Sequence, residues 1–207
     1  MGGLFITFEG IEGSGKTTQA KRLYKYLKNK KIPCIFTREP GGPRISEKIR
    51  RLLLDAENYG MSKKTELLLY AASRAEHVSR IIRPALKIGK VVISDRFSDS
   101  TFAYQGGGRK ISMRTARMIN DFATERLKPN LTFIIDLPVR VGLKRLSKTD
   151  RIEKEREEFH IRVRSEYLKI AKEEPQRVKI IDGTKGVEEQ TGEIVSAVHR
   201  YLKRRAR

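Results

Sequence analysis

Absences narrow the possibilities first. The chain has 207 residues and a single cysteine, Cys34, so no internal disulfide framework can staple it. A lone thiol fits a reducing compartment, and a cytoplasmic location is expected. No apolar run approaches the roughly 20 residues that span a bilayer, so no membrane partner is expected. The N-terminus runs almost directly into LFITFE, without a basic region or a long apolar region, and no secretory leader is expected. Asn and Gln are scarce, four each, while charged residues make up 34%, a balance that leans toward thermophilic proteins. No linker rich in Pro, Gly or Ser and no internal repeat divides the chain. Residues 1–207 are therefore expected to form one domain with a single core.

Acids are missing from one place in particular. Between Glu12 and Glu39 there is none, while Lys16, Lys21, Arg22, Lys25, Lys28, Lys30, Lys31 and Arg38 all fall there. The net charge is +20. Such a field attracts polyanions, whether a nucleotide or a nucleic acid. Outside the motifs the plainer alternative is a solvated lysine-rich face. No stripe of interleaved aromatic and basic residues supports a nucleic-acid partner, and none is expected. His77 and His160 have no metal-like partners at useful spacing, so His77 reads as packing or a helix hydrogen bond.

What is present alternates. Short apolar runs at Leu4–Glu9, Cys34–Thr37, Val91–Ser94, Leu131–Asp136 and Val178–Ile181 read as strands covered on both faces. Helical patterns lie between and after them, at Lys16–Asn29, Ser46–Leu54, Lys64–Ile88, Met113–Thr124, Val139–Leu146, Ile152–Glu173 and Val187–Lys203. The glycines Gly106–Gly108 read as an internal loop. Strand then helix, repeated, predicts an α/β fold: a doubly wound, five-stranded parallel sheet with helices on both faces.

Gly10-x-x-x-x-Gly15-Lys16-Thr17 follows the first strand and opens a helix, the context that a phosphate-binding loop needs. Its glycines permit turns that aim successive N–H groups inward at phosphate oxygens, and the helix N-terminus adds positive charge. Gly10, Ile11, Glu12, Gly13, Ser14, Gly15, Lys16, Thr17 and Thr18 are expected to hold the phosphates of ATP. Lys16 should reach the β- and γ-phosphates, and the Thr17 hydroxyl should ligate Mg²⁺. The Asn-Lys-x-Asp signature of a GTPase is absent, since Asn29-Lys30 runs on into Lys31-Ile32. The loop alone does not name the acceptor.

Three further stretches carry that information: TREPGG (37–42), LLLYAASRAEH (67–77) and SDRFSDSTFAYQGGGR (94–109). Each sits at the carboxyl end of a strand or on a helix able to cover that edge, where doubly wound sheets bind ligands. Tyr70 and Arg74 are four apart and share a helix face. An aromatic face there can stack on a planar ring, and a guanidinium beside it can donate to that ring's edge. The structural alternative is core packing for Tyr70 and a salt bridge from Arg74 to Glu66.

With these stretches in order, from FEGIEGSGKTTQ through TREPGG, EKIRRLLL, LLLYAASRAEH, SDRF, AYQGGGR and DRIEKE to the DGT at Asp182–Thr184, the chain resembles the thymidylate kinases over nearly its whole length. The resemblance implies a nucleoside-monophosphate kinase that moves the γ-phosphoryl of ATP to dTMP. It also implies a homodimer packed through helices. Asp95 would hold Mg²⁺ opposite Thr17, and Arg96 would grip the acceptor phosphate. Arg50 matches an arginine at the acceptor site. Tyr70 would stack on thymine and Arg74 donate to its O4, where cytosine would present donor to donor. Thr101 and Gln105 would lie near the thymine edge, and Tyr104 under the sugar, favouring deoxyribose. Glu39 and Pro40 would line the same pocket. Glu12 would point toward the acceptor and take a hydrogen bond from the 3′-hydroxyl, and Asp182 would lie beside the adenine. Residues 145–153 would form a mobile lid. Because Gly13 is small, the lid should supply a catalytic arginine: of Arg145, Lys148 and Arg151, Arg151 in DRIE matches best. The alternative acceptor is a nucleoside, for which Glu39 would serve as base.

Overall fold

The computed structural model describes residues 2–146 and 150–205. Valine, isoleucine, leucine and phenylalanine dominate five runs that pair into one sheet. They are β1 (Leu4–Glu9), β2 (Cys34–Arg38), β3 (Val91–Asp95), β4 (Leu131–Asp136) and β5 (Val178–Asp182). Their spatial order is β2-β3-β1-β4-β5, and every neighbouring pair is parallel. Alternate residues of β1 face opposite cores. Leu4, Ile6 and Phe8 pack with Leu23 and Leu27 of α1 (Lys16–Asn29) and Ile194 and Val198 of α9 (Val187–Arg205). Phe5 points the other way, onto Val78, Ile82 and Ala85. Ile134 of β4 meets Val163 and Ile170 of α8 (Glu157–Glu173) on that same second face. Both faces are thus covered, as expected of near-continuous apolar strands. Each wholly buried Phe contributes about 2–3 kcal/mol by leaving water.

The remaining helices depart from the sequence pattern where local chemistry intervenes. The expected helix over 64–88 is three pieces: α3 (Lys63–His77), a π-helical turn (Val78–Ile82) and α4 (Arg83–Lys87). Pro84 lacks an N–H and its ring crowds the preceding turn, which widens there. The glycines 106–108 end a π-helical stretch, Thr101–Gly108, that continues the short α5 (Ser98–Ser100). A Cβ on Gly108 would stand 2.5 Å from the Phe159 ring, so the close approach to α8 needs glycine there. α2 (Arg44–Leu54), α6 (Met113–Thr124) and α7 (Val139–Lys144) complete the set.

α8 starts at Glu157, five residues later than its periodicity predicts. Asp150 explains the delay. Its carboxylate accepts the N–H groups of Ile152 and Glu153, closing a local turn that competes with helix. Arg156, extended at ψ 154°, then caps α8.

Candidate active site

The loop after β1 wraps the N-terminus of α1. Gly15 caps that helix in the left-handed region (φ 92°), and no acid stands in the first turn. The N-terminal N–H groups and dipole are left for an anion. Gly13 also has positive φ, 69°, and a Cβ there would collide with the carbonyl oxygen of Gly142 in α7. The approach is reciprocal, since a Cβ on Gly142 would lie 2.6 Å from Glu12 O. This yields a test. Helix propensity alone favours alanine at Gly142 by about 1 kcal/mol. The clash is with backbone, which cannot swing aside, and overpacking of that kind costs about 1–3 kcal/mol. Gly142→Ala should therefore lower the unfolding free energy in urea and raise KM for ATP; a variant as stable as its parent would refute this contact.

Lys16 is buried, and its Nζ donates to Ile11 O at 3.2 Å. Burial first, and then the Arg96 charge, pull its pKa down to about 8. A polyphosphate on Nζ favours the protonated form. ATP binding should therefore take up a proton wherever free Lys16 is partly neutral: about half a proton at pH 8 and little below pH 7. Calorimetry in buffers of different ionisation enthalpy measures this uptake, and its absence at pH 8 would count against the shifted lysine.

Thr17 and Asp95 meet in a short hydrogen bond from Oγ1 to Oδ2. Asp95 Oδ1 is buried and has no protein partner among the described residues. A hard cation suits such an oxygen, so this donor pair fits Mg²⁺. Thr18 lies exposed on the outer side of α1. Ser14 is buried, and its Oγ has no partner among the described residues.

Arg96, just past β3, holds a left-handed backbone (φ 74°), a conformation that costs a non-glycine residue about 1–3 kcal/mol. Two hydrogen bonds fix it there: Arg96 N to Phe8 O at 2.9 Å and Ser94 Oγ to Arg96 O at 2.8 Å. The strained turn aims the guanidinium at the loop after β1. Nη1 donates to Gly10 O and Nη2 to Glu12 Oε1 (2.9 and 2.8 Å), above the Tyr104 ring. Tyr104 OH donates to the same Glu12 oxygen at 2.6 Å. Burial pushes the Glu12 carboxyl up, but Arg96, His160, Lys16 and Tyr104 together hold it well below the usual carboxylate range. Glu12 therefore does not point at the donor phosphates. It stands in the wall of a neighbouring cavity with Lys16, Thr17, Asp95 and Arg96.

That cavity also takes its walls from Glu39, Pro40, Arg50, Tyr70, Arg74, Thr101, Tyr104 and Gln105. One cleft thus gathers residues from all three sequence stretches. Arg74 is buried, and four of its five N–H groups are engaged. Nε meets Glu39 at 2.7 Å, Nη1 meets Thr101 Oγ1 and Asn120 Oδ1, and Nη2 meets Phe97 O. One Nη2 proton remains. The partner is Glu39, not Glu66, because the end of β2 sets Glu39 against α3. Glu39 also meets His77 Nδ1 at 3.0 Å, and His77 Nε2 meets Thr37 Oγ1, so His77 is a buried hydrogen-bonding residue. Burial raises the Glu39 pKa, but Arg74 and His77 bring it below its ordinary value. Tyr70 is half-buried, and its hydroxyl has no protein partner among the described residues. Arg50 Nη1 donates to Pro40 O at 2.8 Å.

Arg151 is placed differently from the expectation that it serves the phosphates. Its side chain is 1% exposed and pairs with Glu66 at 2.7 Å, while Nε donates to Leu53 O at 2.8 Å. It is outside the cavity wall. The cause is the Asp150 turn, which directs the chain inward onto α2 and α3. Arg145 lies nearer the phosphate loop, with Nη1 3.3 Å from Gly13 O. Lys148 falls outside the described residues. Asp182 ends β5, where it accepts from Thr184 N and Oγ1 at 2.9 and 2.6 Å, away from the cavity.

Several residues in or behind the site were not singled out from sequence. Arg38, Ser100, Asp150 and Glu153 line the cavity. Arg38 stood inside TREPGG, so the motif itself held that signal. Glu9 lies behind Arg96 and accepts from Phe97 N, Ser100 Oγ and Tyr167 OH; burial and Asp99 raise its pKa to about 7. His160 is fully buried with Nδ1 3.3 Å from Glu12 Oε2. Neither contact has a local sequence signature.

Comparison with known proteins agrees with this architecture. The family model described as "Thymidylate kinase" matches residues 8–194. A curated thymidylate kinase of Geotalea uraniireducens is 51% identical over 205 residues, covering 95% of this chain and 96% of that protein. One from Symbiobacterium thermophilum is 50% identical over 206 residues, covering 99% and 96%. The crystal structure of thymidylate kinase from Ehrlichia chaffeensis superposes with a TM-score of 0.79 at 38% identity, covering 96% of this chain and 99% of that one. The chain belongs to the thymidylate kinase family.

Proposed function

We propose that this protein transfers the γ-phosphoryl group of ATP to the 5′-phosphate of dTMP, giving dTDP and ADP. The observation that carries the reading is one cleft that joins a phosphate loop to a pocket with an aromatic ring, a nearly saturated arginine and an amide. An oxygen of the acceptor phosphate attacks the γ-phosphorus, and the bond to the β-phosphate oxygen breaks as ADP leaves. The acceptor oxygen is already anionic near neutral pH, so no general base is required.

Catalysis is then positioning and charge neutralisation. Lys16 and the N–H groups from Gly10 to Thr18 hold the donor phosphates, and Arg96 holds the acceptor phosphate. Thr17 and Asp95 would hold Mg²⁺, which when bound neutralises phosphate charge. Tyr70 stacks on thymine, with Arg74, Thr101 and Gln105 along its edge. Glu12 takes the 3′-hydroxyl, Tyr104 fills the place of a 2′-hydroxyl, and Arg50 adds charge at the mouth. Glu39 orients Arg74 rather than touching substrate, and Asp182 lies on the adenine side. Among the described residues Arg145 is the lid cation closest to the loop, and Arg151 anchors the lid's far end.

A nucleoside kinase would need Glu39 as a free base. Here that carboxylate is tied to Arg74 and His77 and has a lowered pKa, which disfavours the alternative. Turnover of dTMP, dUMP, dCMP and thymidine with ATP decides the matter, and phosphorylation of thymidine but not dTMP would defeat the proposal.

The chain reads as one kinase domain over 1–207, with its lid about 145–153, working in the cytoplasm. A homodimer fits the apolar face on adjacent α2, α3 and α6, where Leu52, Leu68, Met118 and Phe122 are exposed. Sedimentation should give the mass of two copies, and a monomer at micromolar concentration would rule this out.

A further inference from the structure

We propose that Glu66 decides which pyrimidine the acceptor pocket takes, by fixing the direction of the Gln105 amide. The inference rests on the reading that this pocket holds a pyrimidine monophosphate. Glu66 lies on α3 one turn before Tyr70 and is fully buried. Gln105 Nε2 donates to its Oε1 at 2.9 Å. Arg109 forks onto both oxygens, with Nε to Oε1 at 3.1 Å and Nη2 to Oε2 at 2.9 Å. Arg151 Nη1 closes the set at 2.7 Å, and Arg109 is itself fastened to Glu155 at 2.5 Å. Burial raises the Glu66 pKa, but Arg109, Gln105 and Arg151 bring it below the ordinary value.

A carboxylate ion only accepts hydrogen bonds. The side of the Gln105 amide that faces Glu66 must therefore be the NH₂. Its carbonyl is turned the other way. Among the described residues Gln105 Oε1 has no protein partner, and it is not sealed from the cavity that Gln105 lines. The wall of one cavity then carries an acceptor from Gln105 and the one remaining donor of Arg74. Thymine and uracil match that pair with N3–H and O4. Cytosine inverts both positions, with a lone pair at N3 and an amino group at C4. A mismatch of buried polar groups at two adjacent positions discriminates strongly.

Without the Glu66 charge the amide is free to flip and offer NH₂ to cytosine N3. Glu66 is thus a positioning residue, and Arg109 and Arg151 keep it ionised. If Glu66 only neutralises the half-buried Arg109 and the buried Arg151, its loss should harm all acceptors alike.

The test compares kcat/KM for dTMP and dCMP with ATP in the unaltered protein and in Glu66→Gln. The expected result is at least a tenfold fall in the dTMP/dCMP ratio. An unchanged ratio, with both acceptors reduced in proportion, would overturn the proposal. Should Glu66→Gln fail to fold, Gln105→Met decides, since it removes the amide and keeps the length of the side chain. At least a tenfold fall in the dTMP/dCMP ratio supports the proposal, and an unchanged ratio overturns it. Failure of the unaltered protein to phosphorylate dTMP at all would instead remove the acceptor reading beneath it.

Discussion

Lys16→Met is expected to lower kcat about a thousandfold while leaving the fold intact. Removing one preorganised charge from a developing anion costs about 4 kcal/mol of transition-state stabilisation. Methionine keeps the length of the side chain and its apolar stem. In the free protein the ammonium has one modest hydrogen bond, to Ile11 O at 3.2 Å. Its environment already disfavours the charge: burial acts first and the Arg96 charge second. Removing the cation thus relieves a like-charge neighbour, and the unfolding free energy should change by less than about 1 kcal/mol. Single-turnover kinetics and urea melts measure the two effects separately. A variant that keeps more than about a tenth of the parental rate would show that Lys16 does not bear on the transferred group.

The same contrast, a local motif set against a distant partner, explains what could be read from the sequence. The phosphate loop was legible because its chemistry is contiguous: glycines, lysine and threonine at fixed spacing between a strand and a helix. The five strands were legible because double burial leaves nearly unbroken apolar runs. Tyr70 and Arg74 could be paired because they share a helix face. Contacts between separate elements were not legible. Arg74 had Glu66 as a neighbour two turns away, yet β2 delivers Glu39 to it, and Glu66 goes to Gln105, Arg109 and Arg151. Arg151 matched a motif, but nothing in DRIE says that the Asp150 turn buries it. Apolar periodicity also ran through Pro84 without registering the widened turn before it. Periodicity reports which face is buried, not how the backbone hydrogen bonds shift to achieve it.

The second large effect tests whether Arg96 serves stability and chemistry at once. Arg96→Met should lose about 3–5 kcal/mol of stability, because it strands the buried Glu12 carboxylate, a penalty typical of breaking a buried ion pair. Arg96 is also the largest influence holding the Glu12 pKa down against burial. Without it burial is less opposed, and the Glu12 pKa should rise. The same variant should lose at least about a thousandfold in kcat/KM for dTMP, since methionine cannot fork onto a phosphate. A double variant separates the two roles. Glu12→Gln with Arg96→Met removes both charges and leaves Tyr104 OH a neutral acceptor, so most of the lost stability should return. Activity should not return, because the acceptor phosphate still lacks its guanidinium. Thermal melts and kcat/KM for the parent, both single variants and the double complete the cycle. Recovery of activity together with stability would mean that Arg96 acts only through Glu12. A double variant no more stable than Arg96→Met would mean that the pair is not what holds this corner of the site.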